Sequence, residues 1–205
     1  MRARLAIASA GMHCALREIL LRNKPEHMLQ ISPKGTVPVL ELTDGAVVDE
    51  SVNIAIWALK EHDPEHLLNP IGASEAEMLA LISTMDNSFK PLLDRYKYRF
   101  HAEPDAAKSA RDDATFFLRE LNERLEGQNF LFGDRISFAD LCILPFVRQF
   151  AHVDKDWFWA QDFASVIAWL DAFLDSDRFA AIMQKFAVWQ PGDELSVFPP
   201  ALISD

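Results

Sequence analysis

The apolar positions of this chain change period along its length, and the change divides it. Two short apolar runs, residues 37–42 and 46–48, flank Thr43-Asp44-Gly45, and an Asp-Gly between apolar runs predicts a β-hairpin. The hairpin is entered through Val37-Pro38. Proline cannot donate to a strand ladder, so the strand must begin at a fixed turn, and the pattern predicts a cis bond there. The hairpin leaves through Asp49-Glu50-Ser51 into an apolar-periodic segment, 52–59, which predicts a helix capped by Asp49 or Ser51. A helix start with open amides is a ready site for a carboxylate, so a proline turn and a helix start joined by one hairpin form a small-ligand clamp. Upstream, residues 2–10 predict one short helix, and Cys14 opens a predicted strand over 15–21.

Past residue 60 only helical periods remain. Pro64, Pro70 and Gly72 break the pattern between residues 61 and 73, which predicts a linker over 64–73. Ser74-Glu75-Ala76-Glu77 opens a long helix with a capping box, and its apolar stripe runs through Met78, Leu81, Ile82, Met85 and Phe89 to a kink at Pro91. Further helices are predicted over 104–126, from Ser137 onward, over 164–174 and over 177–185. Ser137-Phe138-Ala139-Asp140 is a second helix-start box.

Composition narrows the function. The chain has 205 residues, half of them apolar, with 15 Phe and 5 Trp, enough for real cores. Its two cysteines, Cys14 and Cys142, lie in apolar surroundings, which predicts free buried thiols in a reducing, cytoplasmic compartment. The net charge of −11 repels nucleic acid, and no basic stripe offsets it. No run approaches the ~18 apolar residues of a membrane span. Arg2 and Arg4 before an apolar run imitate a signal peptide, but no convincing cleavage site follows. His62 and His66 flank Pro64 and cannot form a helical metal pair, so no metal is expected.

Taken in order, these motifs resemble the glutathione transferase family, omega-like and bacterial members above all, over nearly the whole chain. In that family the residue before the cis-proline pairs its backbone with the cysteinyl part of glutathione, and a Glu-Ser pair at the next helix holds the γ-glutamyl end. Val37 with Pro38, and Glu50 with Ser51, stand in those places. The run Leu20-Leu21-Arg22-Asn23-Lys24-Pro25-Glu26 resembles the segment whose lysine reaches the glycyl carboxylate, which puts Lys24 in the site. The resemblance implies an α/β thioredoxin-like domain over 1–63, incomplete at its start, and an all-α helical domain over 74–205. It also implies glutathione as cosubstrate, a homodimer, and an acceptor pocket to which Phe89 and Tyr96, seven apart on one helix, contribute. Residues 133–140 resemble the family's buried structural capping box.

Residues 1–8 resemble the helix that follows the family's first strand and its catalytic Cys, Ser or Tyr turn, so the sulfur-activating residue is expected upstream of Met1. The extended tail 194–198 is one candidate to fill the place of that central strand. A Cys upstream would favour thiol–disulfide exchange, and Ser or Tyr conjugation to a small electrophile. The omega-like look of Lys24 favours Cys. The rival expectation is a noncatalytic interaction protein that keeps the fold, as the stringent-starvation proteins do.

Overall fold

The structure, a computed structural model, describes residues 1–200. Its elements in chain order are α1 (Arg2–Ser9), β1 (Cys14–Leu16), α2 (Glu26–Ile31), β2 (Val39–Glu41), β3 (Val47–Asp49), α3 (Ser51–Glu61), α4 (Glu75–Thr84), a π turn (Met85–Phe89), α5 (Lys90–Arg99), α6 (Pro104–Arg124), α7 (Phe138–Ala151), α8 (Lys155–Trp159), α9 (Ala164–Leu174), α10 (Asp177–Ile182) and β4 (Ser196–Phe198). They form two compact units, one made of Met1–Glu65 with the chain from Asp177 onward, the other of His66–Ser176. The resemblance implies that everything from 74 to 205 belongs to the helical part. Instead α10 and the tail belong with the first unit, and residues 201–205 lie outside the described residues.

In the first unit α1 packs on α3 and on α10. Leu5, Ala6, Ile54, Ala55, Ala58 and Leu59 form its core. Two antiparallel pairs stand beside these helices. In one, β1 meets the tail strand β4, with Cys14 opposite Phe198 and Leu16 opposite Ser196. In the other, β2 meets β3. The tail therefore does pair as a strand, but with β1 alone, and among the described residues it does not join the hairpin sheet. Arg4 holds it in place: its guanidinium lies 5.4 Å from the ring centres of both Phe186 and Phe198 and 2.7 Å from Glu18 Oε2. The strand predicted over 15–21 stops at Leu16, and beyond it only isolated bridges at Glu18 and Leu20 remain.

The helical unit follows its capping signals. Ser74 accepts from Glu77 N and its own amide donates to Glu77 Oε2 at 2.8 Å. At α7 the box is buried: Asp140 Oδ2 accepts from Ser137 N at 2.8 Å and from Ser137 Oγ at 2.6 Å. Where a kink was expected at Pro91, the helix widens into the π turn over Met85–Phe89. Pro91 has no N–H for the ladder, and a slipped turn ahead of it absorbs the missing bond. No helix of the described residues is long and apolar enough to cross a membrane.

Candidate functional site

The hairpin sets the geometry of the clamp. Leu42 N donates to Ala46 O at 2.8 Å, Ala46 N donates to Asp44 Oδ1 at 2.9 Å, and Gly45 takes a φ of +86° that L side chains resist. The register then pairs Val39 with Asp49 at the open end. Val37 and Pro38 immediately precede that pair, and Glu50 and Ser51 immediately follow it, so both motifs come to the same end of the hairpin. The Val37–Pro38 peptide is cis. Val37 lies outside the ladder and is 47 % exposed.

Glu50, not Asp49 or Ser51, is the N-cap of α3: its carbonyl accepts from Ile54 N at 3.0 Å. The reason is backbone conformation. Glu50 has φ 65° and ψ 132°, which turns the chain one residue after the strand and leaves Ser51 already helical. That conformation costs a residue with a side chain about 1–3 kcal/mol. No side chain caps α3, and its first turn carries no acidic residue. Its leading amides therefore have no side-chain acceptor, and they keep the positive end of the helix open to an anion.

Two lysines meet the loop that leads into Val37. Lys34 folds back so that its Nζ lies 2.9 Å from Asp49 Oδ2. The hydrogen bond to Asp49, with that carboxylate's charge, pushes the Lys34 amine up from its ordinary range, and Glu50 adds in the same direction. Lys24 also reaches this loop. Gly35 is buried with φ +59°, and a Cβ there would stand 3.5 Å from Lys24 Nζ and 3.3 Å from Leu29 Cδ2. Lys24 itself is half-buried and has no ion-pair partner among the described residues. The structure thus brings Val37, Pro38, Glu50 and Ser51 to one end of the hairpin and sets Lys24 beside Gly35, two residues before Val37. Lys34 and Gly35 were not singled out from the sequence, although they stand in the same Pro-Lys-Gly-Thr-Val-Pro run.

Phe89 and Tyr96 are elsewhere. They are 0 % and 1 % exposed and sit in the interior of the helical unit, their ring centres 5.4 and 5.1 Å from that of Phe150. Sharing a helix face made them neighbours of the core rather than walls of an acceptor pocket. Burial, with the Asp154 charge second, pushes the Tyr96 phenol up to about 12. Cys14 is no ready nucleophile either, since burial pushes its thiol up.

Comparison with known proteins gives the family and the fold. Residues 1–61 match the model of the glutathione S-transferase N-terminal domain, and residues 104–172 that of the glutathione S-transferase C-terminal domain. The chain is 31 % identical over 157 residues to the glutathione S-transferase-like protein LUC7 of a Fusarium species, covering 73 % of this chain and 71 % of the relative. It is 26 % identical over 177 residues to glutathione S-transferase stcT of Emericella nidulans, covering 82 % and 79 %. A solved glutathione transferase family member from Pseudomonas fluorescens, with two glutathione bound, shares the fold at TM-score 0.74 and 15 % identity, covering 87 % of this chain and 85 % of that one.

Proposed function

Because the chain belongs to the glutathione S-transferase family, we propose that it binds glutathione at the open end of the hairpin and uses the tripeptide's thiol against an electrophilic carbon or a disulfide. The observation that carries this is the Val39–Asp49 register, which sets an exposed backbone outside the ladder beside an uncapped helix start. Glutathione carries two carboxylates and one ammonium group. The site offers a matching set: Lys24 for the glycyl carboxylate, the Ser51 hydroxyl and the leading amides of α3 for the γ-glutamyl carboxylate, and Glu50 for the ammonium. Between them, the backbone of Val37 pairs with the cysteinyl part and fixes where the sulfur lies.

The strained conformation of Glu50 supports the same reading. A residue held at φ 65° without being glycine persists where the surroundings over-determine it, which is common at ligand clamps. The thiol gives up its proton to solvent, and the thiolate then attacks carbon with departure of a leaving group, or attacks one sulfur of a disulfide and expels the other as thiolate. The same family reading makes the protein a cytoplasmic homodimer.

Calorimetric titration with glutathione tests the proposal. Glu50→Ala and Ser51→Ala each remove a charge-assisted bond and are expected to cost on the order of 1.5–3 kcal/mol of binding. Unchanged affinity in both variants refutes it.

A further inference from the structure

We infer that Lys34, unlike the Lys24 already given to the glycyl carboxylate, is a positioning residue that acts through Asp49. The inference rests on the glutathione reading above and assigns roles within it. Lys24 Nζ stands beside Gly35 and Lys34 directly precedes it in the chain, so nearness to the loop does not choose between them. Their partners do. Lys34 is already paired with Asp49 at 2.9 Å, whereas Lys24 has no ion-pair partner among the described residues.

Were Lys34 to turn to the ligand, Asp49 would be left uncompensated beside Glu50, and two adjacent carboxylates would face an incoming peptide that itself carries a net negative charge. Kept where it is, Lys34 neutralises Asp49 and ties the loop ahead of Val37 to the residue that precedes Glu50. The cysteinyl-binding backbone and the γ-glutamyl-binding helix start are then held at a fixed spacing. The pair is accessible, with side chains 64 % and 37 % exposed, so its effect is modest and screened by salt.

The test uses two ligands, glutathione and its glycine monoethyl ester, which lacks the glycyl charge. Lys24→Ala is expected to weaken glutathione about tenfold or more while leaving the ester unchanged. Lys34→Ala is expected to weaken both ligands alike, by about two- to fivefold at low salt, with the difference closing as salt rises. Reversing the pair, Lys34→Asp with Asp49→Lys, restores both affinities, and Lys34→Arg retains them if the reversed pair does not fold. A loss in Lys34→Ala confined to glutathione overturns the inference, because Lys34 would then be touching the glycyl carboxylate. So does a reversed pair that folds, by thermal melting, yet binds no better than Lys34→Ala. If the unsubstituted chain binds neither ligand, the proposed function falls, and this inference with it.

Discussion

The Asp140 carboxylate accepts a 2.9 Å hydrogen bond from the indole N–H of Trp169, joining the buried start of α7 to α9. The same carboxylate accepts from Leu131 N at 3.0 Å and from the amide and hydroxyl of Ser137. Four donors from three separate segments therefore converge on one fully buried side chain. Asp140→Ala strands them in the interior, and each buried donor left without a partner costs about 1–3 kcal/mol. A loss of at least about 3 kcal/mol is expected from urea titration of the variant. A loss below 1 kcal/mol would mean that the cluster is not what orders this end of α7.

Glu50 carries the opposite kind of prediction. Glycine accepts φ 65° without steric cost, so Glu50→Gly is expected to raise stability by about 1 kcal/mol while weakening glutathione binding. Melting and calorimetry on one preparation check both signs. A variant that loses stability along with affinity would show that Glu50 supports the fold and not the site.

His152 gives a pH dependence to the helical unit. Burial first, then the nearby charges of Arg148 and Lys155, push its imidazole below the ordinary value of 6.5. The folded state thus favours neutral imidazole, and between the lowered value and 6.5 the unfolded chain binds more protons. Stability is therefore full above about pH 6.5 and declines as pH falls below it. His152→Gln is expected to flatten that decline in melts run from pH 7.5 to 5, and an identical profile in the variant would exclude His152 as the cause.

Arg4 ties the tail to the first unit through Phe186, Phe198 and Glu18. Arg4→Ala removes two ring contacts and an ion pair, with an expected cost of about 1–2 kcal/mol. Hydrogen exchange should quicken in β1 and β4 before it quickens in α3. Unaltered exchange in β4 would show that the strand pairing alone holds the tail.

Most of the local grammar was legible in the sequence because its signals are local. Asp44-Gly45 marked the hairpin, and the two boxes at Ser74 and Ser137 formed as their spacing foretold. What escaped depends on distant partners or on backbone conformation. β4 is three residues long, and its partner β1 lies at the other end of the chain. α2 and α8 have six and five residues, too short for a period to declare itself. The left-handed turn at Glu50 has no signature in a glutamate. The seven-residue spacing of Phe89 and Tyr96 fixed that they share a face, but a period cannot tell a face that meets the core from one that meets a ligand. Lys34 and Gly35 became visible only once the loop had folded back on Asp49 and Lys24.

The central claim is that glutathione occupies the open end of the hairpin, and amide chemical-shift mapping during a glutathione titration tests it most directly. The account predicts saturable shifts at the amides of Gly35, Val37, Glu50, Ser51 and the first turn of α3, with the helical core around Phe89 and Phe150 unmoved. Saturable shifts that leave residues 35–37 and 50–53 untouched, or no saturable shifts at millimolar glutathione, would contradict it.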